Sequence, residues 1–466
     1  MAAHRCLREQ WRPRQPRYGH AVRVVILGAG PTGLGAAHRL AELGHDDWDV
    51  YERAASVGGL AGSVRDGHGF TWDHGGHVMF SHYGYVDDLV AQMLGDDREV
   101  HDRRAFVLLH DRLVPFPLQH NIHRLPDDVF AECRAGIAGA QAEDRPRRNF
   151  AEWIDAVFGA GLARHFMIPY NTKVWAHPLD LLGVEWQGER VPEVDLERID
   201  ENRRRAVDDS GWGPNARFTF PSRGTGLLPQ RIAEALPRPI HLGREAVAID
   251  QHRRTVTFGD GSRTSYDRLV STMPLPDLVD RLDEPSEDLL AAAAALHHTS
   301  GIFVGVGLRG EAPPERCWVY FPGPDVPFYR VTYLSNYSQA MTPGAGHWSL
   351  LAEISVSPHR PFDAAAAAER TVAGLVATGL LTADQAEHDI VSRHVMTVRY
   401  SYPVPTLGRD AALARLHGAL EPLKIHSRGR FGSWRYEIGN TDHSLMLGVE
   451  LADRMISGGG EPTWHS

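Results

Sequence analysis

Gly28, Gly30 and Gly33 stand between an apolar run at 23–27 and a helix-patterned stretch at 34–43. This arrangement constrains the first part of the chain more than any other feature. A short apolar run before such a turn reads as a buried parallel strand. Each glycine then has a physical job. Gly28 makes the tight turn, Gly30 lets a pyrophosphate approach the backbone, and Gly33 lets helix and strand pack closely. The pyrophosphate sits on the N-terminus of the helix, where free N–H groups and the helix dipole favour an anion. A second strand at Trp48–Tyr51 ends in Glu52, 24 residues after Gly28, where a carboxylate holds ribose hydroxyls. Strand, turn, helix, strand and acid in register predict a βαβ dinucleotide-binding unit over residues 23–60.

At 466 residues the chain exceeds one average domain and predicts two or three that share a core. A net charge of −10 argues against a nucleic-acid partner. Cys6, Cys133 and Cys317 are widely spaced; they offer no disulfide framework or zinc pattern and suit a reducing, cytoplasmic location. The 26 histidines include no HExxH-type spacing, so no metal site is expected. No run of 18 apolar residues occurs, so no membrane span is expected. The first 20 residues carry five arginines and no apolar centre, and residues 1–21 read as a disordered tail rather than a secretory signal.

Further along, 105–109 and 112–116 read as paired strands around a turn at His110-Asp111. From about 125 to 205 the pattern is helical, with Trp153, Val157, Leu162 and Phe166 at helix-like spacing. A turn at 221–226 leads into a helix at 227–236. Strands return at 247–249, 256–258 and 269–271, with Asp260-Gly261 as a hairpin signal. Four more strands are predicted at 301–308, 317–321, 328–335 and 348–355. An Ala-rich helix follows at 364–380, N-capped by Asp363. A strand at 425–429 and a closing helix at 440–456 end the pattern.

Arg53 and Gly58-Gly59-Leu60 continue the fingerprint in a way that resembles FAD enzymes of the amine-oxidase and desaturase type. Longer runs carry a more specific likeness: GGHVMFSHY (75–83), FMIPYNTKVWAHP (166–178), WQGERV (186–191), GWGPNARF (211–218), CWVYFP (317–322), PFYRVTYLSNYS (327–338), YPVPTL (402–407) and SRGRFGSWRYEIGNTDHS (427–444). With these the chain resembles the UDP-galactopyranose mutase family, in its eukaryotic-type branch, from about residue 23 to 455. The family would be isomerases that interconvert pyranose and furanose forms of UDP-galactose, or of a closely related nucleotide hexose, with no net redox change. The resemblance implies covalent catalysis, in which N5 of reduced flavin attacks the anomeric carbon and expels the diphosphate. FAD would be active when reduced, with NADPH or NADH as the reductant. The competing expectation is a FAD-dependent oxidoreductase of the amine-oxidase or desaturase type, which the fingerprint alone would favour.

The resemblance also assigns residues. His77, Arg190, Arg330 and Arg430 are the implied catalytic set: His77 lies under the flavin, Arg190 and Arg330 hold the diphosphate, and Arg430 lies near flavin and sugar. Gln119, Phe166, Asn171 and Trp175 form the implied base pocket. Asn215, Trp318, Tyr320, Tyr337, Tyr402 and Tyr436 complete the implied substrate set. Gly28, Gly30, Gly33, Glu52, Gly59, Leu60, Gly76, His77, Asn440 and Ser444 are the expected FAD ligands. Segments 187–191 and 208–216 resemble mobile loops that close over the site and exclude water. Where the family carries Tyr, Phe and a hydroxyl residue, this chain has Phe116, Leu118 and Ala105, while Arg103 keeps the family's residue beside the nicotinamide approach. The partner implied is a nucleotide sugar. The chain stops soon after the closing helix, whereas fungal members run longer, so a monomer or homodimer is expected. The predicted fold class is α/β, with a FAD-binding Rossmann-like domain, a helical domain and an antiparallel β-sheet domain. The FAD domain would be assembled from 22–102, 221–300 and 425–466. The helical domain with its lid would span 120–210, and the sheet domain 103–119 and 301–424.

Overall fold

The computed structural model describes residues 22–192 and 194–465, so the tail expected at 1–21 lies outside the described residues. The apolar run before the glycines forms the strand Val24–Leu27, wholly buried. It lies in a four-stranded parallel sheet with Trp48–Tyr51 on one side and Arg268–Ser271, then Ile425–Ser427, on the other. Strands from three distant segments thus build one sheet. Parallel strands buried on both faces read as continuous apolar runs, as VVIL does here.

The helix Pro31–Glu42 begins with Pro at its first turn, where the missing N–H costs nothing. The closing helix Thr441–Ser457 lies against it at close range. A β-carbon at Gly448 would fall 2.0 Å from the Thr32 carbonyl oxygen, so only glycine allows the approach. This contact ties the C-terminal segment to the first motif.

The second layer is a seven-stranded sheet in the order Ile390–Pro403, His298–Arg309, His347–Val356, Arg330–Thr332, Trp318–Tyr320, Ala105–Leu109, Arg112–Pro115. It is antiparallel except at one place: Ala105 pairs with Trp318 in a parallel register. That junction joins a hairpin from early in the chain to strands from its last third. The strand expected at 328–335 is cut to Arg330–Thr332, because Leu334–Tyr337 winds into a short helix. The Ala-rich segment starts as the short 3-10 turn Ala364–Ala366 and continues as the α-helix Ala367–Ala377. Asp363 caps its start by accepting from the Ala365 N–H at 2.9 Å.

The third part is helical, built on Asp127–Ala142, Phe150–Leu162 and Ile168–Trp175 around a core that includes Phe150, Phe158, Leu162 and Trp175. No helix among the described residues is long and apolar enough to cross a membrane.

Candidate functional site

A cavity of about 790 Å³ runs between the parallel sheet and the seven-stranded sheet. Its first half is formed where the parallel strands end. Gly28, Gly30, Thr32, Glu52, Thr272 and Gly429 all line it, as expected for ligands that bind beyond the carboxyl ends of such strands. The N-cap of the first helix is Gly30, which has no side chain to satisfy the following amides, so those N–H groups are left for an anion. Glu52 is fixed by two backbone donors, Ala29 N–H and Ala54 N–H, each at 2.8 Å. Nine of the ten expected cofactor residues line the cavity: Gly28, Gly30, Glu52, Gly59, Leu60, Gly76, His77, Asn440 and Ser444. Gly33 does not. A β-carbon there would lie 2.0 Å from the Gly28 carbonyl oxygen, so its part is to close the strand–helix turn. The donor set, the uncapped helix start and the volume of the cleft fit a dinucleotide cofactor.

The far end of the cavity is polar and positively charged. Arg190, Arg330, Arg430, Tyr402, Tyr436, Asn215 and His77 meet there. Sheet register explains part of this convergence. Tyr320 pairs with Arg330, Arg330 with Glu353, and Glu353 with Phe303. Directly opposed residues share a sheet face, so these four form one row. Phe303, Arg330 and Glu353 of that row line the cavity.

Glu353 was not legible as a site residue, yet it organises this end. It is 1% exposed. It accepts from Arg330 Nε at 2.5 Å and Nη2 at 2.9 Å, from Tyr329 Oη at 2.8 Å, and from the Gly76 N–H at 3.1 Å. Burial alone would raise its carboxyl, but the Arg330 charge and these hydrogen bonds overrule burial and hold it below the usual range. One carboxylate therefore joins the cation of the polar end to the glycine loop at the cofactor end. Tyr329 Oη also lies 3.2 Å from Tyr402 Oη.

Arg190 lies 4.6 Å from the centre of the Tyr436 ring and donates to Glu437 O at 2.6 Å. Arg430 lies 5.0 Å from the Tyr402 ring centre and donates to Gly439 O at 2.9 Å. Neither arginine is hydrogen-bonded to a carboxylate among the described residues, which leaves both charges uncompensated at the cavity wall.

The base-pocket set gathers elsewhere, against the helical part. Gln119 Nε2 lies 3.7 Å from Met167 Sδ, and Asn171 Nδ2 donates to Met167 O at 2.7 Å. Phe166 stacks on Tyr170, whose ring meets Tyr320 edge-on at 5.3 Å. Trp175 packs against Tyr436 at 4.9 Å. These side chains do not line the 790 Å³ cavity but adjoin its polar end through Tyr402 and Tyr436. Two of their buried polar atoms, Gln119 Oε1 and Trp175 Nε1, have no hydrogen-bond partner among the described residues. Tyr170 belongs with this group and was missed. Its place in the same run as Asn171 and Trp175 was the available signal.

Two of the expected substrate residues sit in the core. Tyr337 is fully buried among Phe218, Phe220 and His101. The short helix at Leu334–Tyr337 carries it off the strand it was expected to follow, and the structure places it in the core beside the cavity wall rather than in its lining. Trp318 is 2% exposed and packs on Phe218 and Tyr320, outside the cavity lining.

His82, Asp442 and His443 place ligand atoms within 4.8 Å of one another. Asp442 already pairs with His82 Nδ1 at 2.8 Å and His443 Nδ1 at 3.1 Å. The group sits at the positive end of the helix Thr441–Ser457, which disfavours a cation.

His77 follows Gly75, whose φ of 125° lies where glycine is strongly favoured. Burial, reinforced by the charges of Arg430 and Arg330 against the pull of Glu353, pushes its imidazole down to about 4. His77 is therefore neutral at pH 7. Below its ordinary value of 6.5 the unfolded chain takes up a proton that the folded chain refuses until about pH 4. Its contribution is fully present above pH 6.5 and is lost as pH falls through that window. The thermal midpoint should fall more steeply between pH 7 and 4.5 for the parent than for His77→Gln. Parallel curves would show that His77 does not titrate in that range.

Comparison with known proteins agrees with this geometry. The flavin containing amine oxidoreductase family matches over residues 31–409. A crystal structure of reduced UDP-galactopyranose mutase superposes with a TM-score of 0.92 at 42% identity, covering 95% of this chain and 96% of that one. Putrescine oxidase superposes with a TM-score of 0.64 at 17% identity, covering 94% of this chain and 99% of that one, which shows the fold alone. The ζ-carotene-forming phytoene desaturase of Myxococcus xanthus is 26% identical over 337 residues, 62% of this chain. The chain spans about three fifths of that curated relative's length, 61%. The match to the mutase runs over nearly the whole length of both chains, and on it the chain belongs to the UDP-galactopyranose mutase family, isomerases within the flavin-containing amine oxidoreductases.

Proposed function

We propose that the protein interconverts the pyranose and furanose forms of UDP-galactose, or of a closely related nucleotide hexose, without net redox change. The observation that carries this reading is the polar end of the cleft. Arg190, Arg330 and Arg430 converge there with Tyr402 and Tyr436, and Glu353 is the one carboxylate bonded to that set among the described residues. Such a site favours a diphosphate. It would repel the cationic amine of an amine-oxidase substrate, and its cations and tyrosine hydroxyls match nothing on a carotenoid hydrocarbon. This separates the mutase from the oxidoreductase alternative.

FAD, when bound and reduced, supplies the nucleophile for the anomeric carbon. The chain's own residues do the rest. Arg330 and Arg190 stabilise the charge that grows on the diphosphate as the sugar–oxygen bond breaks. Tyr402 and Tyr436 offer neutral O–H donors that grip the diphosphate without locking it. Neutral His77 adds no fourth positive charge to the polar end and leaves Nδ1, which has no partner among the described residues, to meet the ligand. Arg190, docked on Tyr436 and Glu437, ties the 187–191 segment over the site and shields it from water. The electron source we propose is NADPH or NADH. The free, buried Cys133 and Cys317 support a cytoplasmic setting.

The test is an anaerobic incubation of dithionite-reduced protein with UDP-galactofuranose, followed by chromatography. Conversion to UDP-galactopyranose by reduced but not oxidised protein is expected. No conversion of UDP-, GDP- or dTDP-hexoses, with flavin bound, would return the reading to an oxidoreductase.

A further inference from the structure

Arg103 is a buried cation, 4% exposed, with no carboxylate hydrogen-bonded to it among the described residues. Its Nη2 donates to the backbone oxygens of Ser210 at 2.8 Å and Trp212 at 2.6 Å. Its Nη1 donates to Asn215 Oδ1 at 2.7 Å. The Phe116 ring covers the guanidinium at 5.1 Å, and the Arg103 backbone N–H donates to Ala216 O at 2.8 Å. Main chain and side chain of one residue therefore hold the whole 210–216 segment. Within that segment, Asn215 is the residue that reaches the cavity.

The chemistry of the contact fixes the direction of the Asn215 amide. A guanidinium has donors and no acceptor. The Asn215 atom it meets must be the carbonyl oxygen, which leaves the NH₂ group as what Asn215 can offer a ligand. We propose that Arg103 is a positioning residue for the nucleotide-sugar reaction: it anchors the 210–216 segment and orients Asn215 so that its amide donates to an oxygen of the substrate. Three of its donors are engaged by protein and the Phe116 ring covers one face, while Nε has no partner among the described residues. The inference rests on the mutase reading for its catalytic consequence and on geometry alone for the anchoring.

The experiment uses full-length holoprotein reduced with dithionite, so that no nicotinamide is needed. Arg103→Met is expected to lower kcat/KM by about tenfold or more, through KM, as loss of charge-assisted hydrogen bonds implies. Arg103→Lys should recover part of it. Asn215→Ala, which leaves Arg103 and its core contacts in place, should give a similar loss, and the double variant should lose no more than either single one. Trypsin should cut Arg103→Met faster than the parent on either side of the segment, after Arg205 and Arg217. Unchanged kcat/KM for Arg103→Met on dithionite-reduced protein, with reduction by NADPH lost, would overturn the proposal and make Arg103 a reductant ligand. If the parent itself converts no nucleotide sugar, the mutase reading fails. Trypsin then judges the anchoring, and equal cutting rates would overturn that too.

Discussion

Arg330→Ala is expected to lower kcat/KM of the dithionite-reduced protein by about 10³-fold or more, the scale of a lost transition-state charge stabiliser, while flavin stays bound. Arg330 is held in place by a buried counter-charge, through two hydrogen bonds to Glu353. A second effect follows from the same pair. Removing the guanidinium leaves Glu353 buried with no cation, at a cost of about 3–5 kcal/mol. Activity and stability can be separated. Combining Arg330→Met with Glu353→Gln replaces the ion pair with neutral groups and should restore most of the thermal midpoint without restoring turnover. Near-parent turnover of Arg330→Ala would remove Arg330 from the diphosphate site. Restored turnover in the double variant would mean that Arg330 matters only by neutralising Glu353.

Gly33→Ala is expected to yield protein with at least about tenfold less bound flavin, because the strand–helix turn must open by a cost of about 3 kcal/mol or more. The new β-carbon would lie 2.0 Å from the Gly28 carbonyl oxygen and 3.3 Å from Ile26 Cγ2. The obstacle is backbone, so no side-chain rotation relieves it. Gly44→Ala is the control. Gly44 has a φ of 68° with nothing within 4 Å of the added carbon, so it should cost only about 1–2 kcal/mol of backbone strain and keep its flavin. Normal flavin occupancy in Gly33→Ala would mean that the helix can shift, and that this close approach does not hold the cradle.

The first half of the site was readable because its geometry is local. Gly28 to Gly33 and Glu52 lie within one βαβ unit, where spacing fixes position. The polar end depends on pairings between strands far apart in the chain, such as Ala105 with Trp318 and Arg330 with Glu353. No periodicity in one segment announces those partners. Glu353 nonetheless left a mark: it is the one Asp, Glu, Lys or Arg inside the mostly apolar strand His347–Val356, and a lone buried acid needs a cation. The strand expected to reach residue 335 was overextended for a related reason. An apolar run with aromatic residues reads equally as strand or helix, and here the chain turns helical after Thr332. Arg103 was legible as a residue but not as an anchor, since its acceptors are backbone oxygens that carry no sequence signature.

In the function proposed here, the bond between the sugar and the diphosphate breaks and re-forms without net oxidation. Positional isotope exchange tests this most directly, with UDP-galactose labelled with ¹⁸O in the bridge to the anomeric carbon. With reduced protein and no oxidant, the label should spread from the bridge to the non-bridging oxygens of the β-phosphate while the sugar nucleotide is recovered intact. Retention of all label in the bridge, with pyranose and furanose still interconverting, would contradict cleavage at that bond. Arg190 and Arg330 would then have no leaving diphosphate to stabilise.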